Sequence, residues 1–244
     1  MSKDYLIKCY KEHFKEMLMP LNFIIKGKYF YRVIGSEIIQ VVGIEKHRLR
    51  RAFTININFK PFCMGFDVRD LVINGERLGM FLYSDDLWWD FDENNISLIN
   101  YKIEHVANEF KKILYLFEKI VDTKSYYEIV SEIEKKVYGD VLFGYDMLYL
   151  YLKLKMYDEA LLVIGKIEND MNNWFNQQIY SKKTINKHQE TKLIQKAEEL
   201  FNFLEYRNIR EAILQGDFSF IDDIIKRNEH ISKQSCQNYL KITL

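Results

Sequence analysis

The apolar positions of this chain change their period twice. Leu6, Tyr10, Phe14, Met17 and Leu18 recur at helical spacing with lysines and glutamates between them, and Pro20 cannot continue the hydrogen-bond ladder. This predicts a helix over about residues 4 to 19. The period then falls to two. Residues 23–26, 29–34, 37–46 and 51–59 are rich in β-branched and aromatic side chains, and Gly27-Lys28 and Gly35-Ser36 separate the first three runs. That spacing predicts tight hairpin turns and an antiparallel meander. In the fourth run Phe53, Ile55, Ile57 and Phe59 alternate with Thr54, Asn56 and Asn58, so one face is expected in a core and the other in water, with Pro61 as its end. Residues 77–83 predict a short fifth strand before an acidic loop.

From about Ile96 the helical period returns. Ile103, Val106, Phe110, Ile113, Leu114, Phe117 and Ile120 form one stripe, which is expected to cover the apolar face of the sheet. Helical patterns follow at 124–138, 145–155, 158–179, 189–206, 207–215 and 218–228. The fold class expected is α+β: an N-terminal antiparallel β-meander sheet packed by helices over residues 1–122, then an all-α bundle or irregular helical-hairpin region over 123–244. Tyr157-Asp158-Glu159-Ala160-Leu161 resembles the second helix of a tetratricopeptide hairpin, and Ala212 to Asp217 reads as another helix-turn-helix join. The two are not spaced as a regular array, so an irregular bundle is the expectation over a repeat protein.

Composition narrows the class. The chain has 244 residues, 48% of them hydrophobic, 15% aromatic and 29% charged, which is too apolar for disorder and polar enough for water. The 35 basic and 35 acidic residues cancel, so no global field attracts nucleic acid or an anionic membrane. The charge is nevertheless uneven: roughly +7 over residues 1–60, roughly −5 over 61–120 and roughly −2 over the remainder. Three scattered cysteines with no Cys-x-x-Cys pair give neither a disulfide framework nor a zinc site, and a reducing cytoplasm is expected. No apolar run approaches the ~18 residues of a membrane span, and the opening residues lack a secretory pattern, so no membrane association is expected.

Two segments concentrate chemistry. Lys46-His47-Arg48-Leu49-Arg50-Arg51 places five basic-type side chains at a strand end, near Tyr29, Phe30 and Tyr31. Arginine forks bind phosphate oxygens and aromatic faces stack bases, so Arg48, Arg50, Arg51, Tyr29 and Tyr31 form a candidate nucleic-acid site. The plainer reading is a solvated hairpin whose charges blunt a sheet edge. Asp85-Asp86-Leu87-Trp88-Trp89-Asp90-Phe91-Asp92-Glu93 gathers five carboxylates and three rings in nine residues. Its spacing does not match a calcium loop. The plainer reading has Trp88 and Trp89 anchoring the loop over the core while the acids face water. If the acids act, protein binding is favoured over catalysis because no base lies nearby in sequence; the candidate partner-binding residues are Asp85, Asp86, Trp88, Trp89, Asp90 and Asp92. The histidines form no metal-binding set, and Walker, Gly-x-Gly-x-x-Gly and nucleophile-elbow patterns are missing, so no cofactor, metal or catalytic residue is expected.

The opening amphipathic helix, Pro20 to Gly27 leading to Tyr29-Phe30-Tyr31-Arg32, Ile38 to Val42, Phe53 to Ile57, Arg77-Leu78-Gly79 and Asp86-Leu87-Trp88-Trp89 occur in an order that resembles a bacterial family catalogued as domain of unknown function 4304. The resemblance covers about half the chain and leaves the helical half outside it. It implies a bacterial cytoplasmic protein and transfers no activity. By analogy with small α+β domains of bacterial conflict systems, the expectation is a non-enzymatic interaction factor of the immunity or defence kind, binding a protein such as a toxin or defence effector through the acidic loop and helical surface. The alternative is a nucleic-acid-binding protein or nuclease subunit that uses the basic hairpin.

Overall fold

A computed structural model describes residues 5–72, 75–85, 87–138, 147–180 and 187–244. The described residues divide into two compact units, 1–141 with 228–244, and 142–227. The expected boundary at 122/123 followed the end of the apolar stripe at Ile120; the helix after it and the last 17 residues group with the sheet.

The first unit begins with α1 (Tyr5–Leu18), which a short helical turn at Met19–Leu21 and a left-handed Asn22 bring to an end after Pro20. The meander follows as β1 (Ile24–Lys26), β2 (Tyr29–Ile34), β3 (Ile38–Lys46) and β4 (Ala52–Pro61), each pair antiparallel. Gly35 and Ser36 both have positive φ, as the turn between β2 and β3 requires, and glycine takes the first of those positions without steric cost. β5 is only Glu76–Arg77, and the residues expected to extend it form α2 (Leu78–Tyr83). The run Leu78-Gly79-Met80-Phe81-Leu82-Tyr83 is apolar without alternation, and short runs of that kind do not separate strand from helix. β6 (Trp89–Asp90) pairs with β4, and α3 (Ile96–Lys111), α4 (Leu114–Lys119) and α5 (Thr123–Tyr138) complete the segment.

Among the described residues six strands form one sheet, in the order β1-β2-β3-β4-β5, with β6 beside β4. The register puts Phe30, Val42, Ile44, Ile55, Ile57 and Phe59 on one face. The aromatic rings of α1, α3 and α4 cover that face: Tyr10 lies 5.7 Å from Phe30, Phe14 4.9 Å from Phe110, and Phe59 4.9 Å from Phe117. Its one buried amide, Gln40, donates to the carbonyls of Phe117 and Ile120 at 2.9 and 2.8 Å, where the end of α4 leaves acceptors without helical donors.

The other face is not wet. Thr54 and Asn56 are buried and Asn58 is half-buried. Tyr31, Ile39 and Val41 pack there with Phe62, Phe66, Val68, Leu71, Cys236 and Leu240. The cover comes from the segment after β4 and from the far end of α10 (Phe218–Leu240), which runs twelve residues past its expected end. Asn228, Ser232 and Ser235 stand at helical spacing and bond the backbone of that segment: Asn228 donates to the Cys63 carbonyl, the Ser232 hydroxyl donates to the Phe62 carbonyl and accepts from the Phe66 N–H, and the Ser235 hydroxyl accepts from the Val68 N–H. Small polar residues on a buried stripe satisfy loop backbone that would otherwise be stranded.

The second unit contains α6 (Met147–Lys153), α7 (Tyr157–Tyr180), α8 (Lys187–Phe201), α9 (Phe203–Gln215) and residues 218–227 of α10. The start of the helix expected at 145–155 lies outside the described residues. The single helix expected over 189–206 is broken by Asn202, which sits in the left-handed region at φ 46°. Gly216 (φ 72°) closes α9 in the same way, with the Asp217 N–H on the Ala212 carbonyl. Half-buried Glu205 accepts from Tyr149 (2.8 Å) and Arg227 (2.9 Å). Burial opposes its ionisation, but those hydrogen bonds prevail and its pKa is lowered.

Candidate functional site

The basic turn and the acidic loop, forty residues apart in sequence, meet at one end of the sheet. The turn is tight: the His47 N–H bonds the Ala52 carbonyl at 2.8 Å and the Ala52 N–H bonds the Arg50 carbonyl at 2.9 Å. The His47 ring adds two more restraints, because its Nδ1 accepts the backbone N–H groups of Leu49 (3.1 Å) and Arg50 (3.2 Å). Leu49 is left 93% exposed at the tip, with Arg48 and Arg50 exposed on either side.

The acidic loop is tied along the base of that turn. β6 pairs Asp90 with Ala52 and Trp89 with Phe53, the Phe91 N–H bonds the Arg51 carbonyl at 2.9 Å, and Thr54 Oγ1 donates to the Leu87 carbonyl at 2.9 Å. Trp89 is 7% exposed and lies against Phe53, so it anchors the loop and has little surface to offer a partner. Trp88 is half-buried within a set of basic groups: the His47 ring meets it edge-on at 4.8 Å, the Arg77 guanidinium lies 4.7 Å from its centroid and that of Arg50 5.9 Å.

The charges pair across the junction. Lys46 stands 4.0 Å from Glu93, Arg51 3.8 Å from Asp92, and Arg77 3.8 Å from Glu45, which also accepts from the buried Asn56 amide at 2.8 Å. Each such pair near the surface is worth about 0–1 kcal/mol, so their consequence is the local potential more than stability. Asp85 and Asp90 are exposed, and Asp86 lies outside the described residues. Lys28 occupies the β1–β2 turn at this same end. Burial lowers the pKa of its ammonium, with Glu45 acting against the shift and Lys46 adding to it.

The two tyrosines of the candidate nucleic-acid site are not on this surface. Tyr31 is fully buried, and its face of the sheet is filled by α10 and the segment after β4, so it cannot stack a base. Tyr29 pairs with Gly43, three rows or about 10 Å along β3 from its end at Lys46, and its ring lies over that glycine. Sequence reasoning missed Arg77 and Glu45. Nothing in their spacing signals that β5 sets Arg77 beside Asn56 and against Trp88.

Among the described residues no group of three His, Cys, Asp or Glu side chains is placed to hold a metal ion, and no helix is long and apolar enough to cross a membrane. The cysteines are free and buried. No family model, curated protein or solved structure matches the chain.

Proposed function

We propose that this protein is a non-enzymatic interaction factor that binds a protein partner through the surface where the acidic loop meets the β3–β4 turn. The observation that supports this reading is the neutralisation of the turn's base. With Lys46, Arg51 and Arg77 each facing a carboxylate, the surface is a mixed-charge rim around Trp88 and Leu49. An apolar and aromatic centre with arginines and a polar rim suits a protein interface. A polyanion draws its affinity from cations free to replace counterions, and among the described residues of this turn Arg48 and Arg50 extend beyond the paired base. The proposed bacterial cytoplasmic setting rests on the family resemblance, and the proposed immunity or defence role on the analogy with small α+β domains of bacterial conflict systems, with a toxin or defence effector as the proposed partner.

The test is affinity purification of the tagged full chain from a bacterial host, with and without nuclease treatment. The expected result is a stoichiometric protein that survives nuclease and is weakened in a salt-dependent way when Asp85, Asp86, Asp90 and Asp92 are all replaced by Asn. Recovery of nucleic acid alone, with a salt slope that shrinks on replacing Arg48, Arg50 and Arg51, overturns the reading in favour of the nucleic-acid alternative.

A further inference from the structure

We infer that residues 47–51 form a preset docking knob: Leu49 enters an apolar pocket on a partner protein, and carboxylates on the pocket's rim pair with Arg48 and Arg50. The inference rests on the protein-binding reading above and specifies which part of that surface makes the contact and what chemistry the partner presents.

Three features carry it. First, the charge is graded along the turn: its base is neutralised by Glu93 and Asp92, whereas the tip carries two exposed guanidinium groups and one almost fully exposed leucine. The complement of that tip is an apolar cavity with an acidic rim, backed by basic groups where the partner reaches the acidic loop. A phosphate backbone or an anionic lipid surface would meet Asp90, Asp92 and Glu93 directly behind the arginines. Second, the tip is held before any partner arrives. His47 Nδ1 takes the N–H groups of Leu49 and Arg50, the Ala52 pairings close the turn, and the His47 ring is wedged edge-on against Trp88. A loop fixed in its bound shape does not lose that freedom on association, which raises affinity without adding contacts. Third, His47 is the positioning residue because it supplies an acceptor where two successive backbone donors point outward. An Asn oxygen can take donors two and three residues ahead in the same way, whereas Phe cannot.

The experiment places a benzophenone photo-crosslinking residue at position 49 of the full chain in a bacterial host. Parallel chains carry it at position 90 and at Tyr101, which is exposed on α3. The expected result is one discrete protein adduct from position 49 and none from 101, mapping to a partner segment in which acidic residues flank apolar ones. Replacing Arg48 and Arg50 by Glu reduces its yield about tenfold or more, as loss of two charged contacts does. His47→Phe, with the crosslinker kept at 49, lowers the yield similarly, and His47→Asn restores it to within about twofold. Circular dichroism of each variant confirms that the fold is retained. An adduct from 90 but not from 49 overturns the knob and leaves the protein-binding reading standing. A yield unchanged by His47→Phe overturns the positioning role. Adducts only to nucleic acid, or no adduct from either position, overturn both the knob and the reading it rests on.

Discussion

Gln40 gives the sharpest test of how the first unit is held together. Its side chain is fully buried on β3, and its amide bridges two carbonyls at the end of α4, Phe117 at 2.9 Å and Ile120 at 2.8 Å. Arg32, its neighbour across the β2–β3 pair, also reaches the Phe117 carbonyl, at 3.0 Å. Gln40→Met keeps the volume and removes both donors. The Ile120 carbonyl then loses the amide that it accepts, at about 1–3 kcal/mol for a buried group left unpaired, while Arg32 still serves Phe117. The added apolar burial returns about 1 kcal/mol, so the net destabilisation expected is about 0–2 kcal/mol, centred near 1. Arg32→Met alone leaves Gln40 on both carbonyls and should cost about 1 kcal/mol or less. Arg32 also donates to Gln40 Oε1 at 3.4 Å, a bond that either single change already breaks, whereas only the double variant takes both of these donors from the Phe117 carbonyl, so non-additivity of about 0.5–1 kcal/mol is expected. Urea unfolding followed by tryptophan fluorescence measures this in a Trp174→Phe background, because Trp88 and Trp89 then report the unit that contains Gln40. Simple additivity in the double variant would refute the shared-acceptor account.

Three further outcomes are expected. Asp67 is held down to a pKa of about 2, chiefly by the hydrogen bonds from the Arg69 side chain and backbone, with Ser235 adding to them. A depressed carboxylate stabilises above its unfolded pKa, about 4, and that contribution is lost as pH falls from there toward 2; carboxyl NMR should find the low midpoint, and Arg69→Leu should move it back up. Burial pushes the Cys9 thiol up to about 11 and Cys236 up to about 12, with Glu12 and Asp67 respectively adding to the rise, so native protein at pH 8 should react with a thiol-specific disulfide reagent at least about a hundredfold more slowly than unfolded chain. Gly43→Ala would set a methyl 2.1 Å from the Tyr29 ring and should destabilise by about 1–3 kcal/mol, and a change under about 0.5 kcal/mol in urea unfolding would show that the ring moves aside freely.

α1 and α3 were legible because each has one apolar face with a helical period, and the meander because its runs of β-branched and aromatic residues are set apart by turns carrying glycine where φ is positive. The alternation in β4 was legible too, but its consequence was misread. Thr54, Asn56 and Asn58 look like a solvent face, yet they are covered because a polar side chain can be buried wherever a partner exists: Leu87, Glu45 and the Leu71 carbonyl supply those partners. The end of α10 was missed for the same reason, since Asn228, Ser232 and Ser235 read as polar while serving as backbone caps in a core. At the candidate site the segments were identified, but their mutual pairing depends on long-range register, which local pattern does not encode.

That register also decides what the charge asymmetry means. The excess of cations before residue 60 and of acids after it suggests a molecule with opposed electrostatic faces, as though distance along the chain were distance in space. β6 removes the separation: once Trp89 is opposite Phe53, Asp92 and Glu93 must lie beside Arg51 and Lys46, so the two excesses meet at the same end of the sheet. Part of the field cancels there, at Lys46–Glu93 and Arg51–Asp92. Because one sheet face is packed by α1, α3 and α4 and the other by the segment after β4 and the end of α10, neither face of the central strands is open, and the basic turn and the acidic loop stand at the strand ends. There the cancellation leaves short-range features: an exposed leucine, two arginines at a fixed tip, and an indole enclosed by basic groups. Recognition on such a surface should combine shape and individual contacts with a residual salt dependence from the exposed charges, Arg48, Arg50, Asp85 and Asp90, and that is the behaviour of a protein interface with a small preset centre.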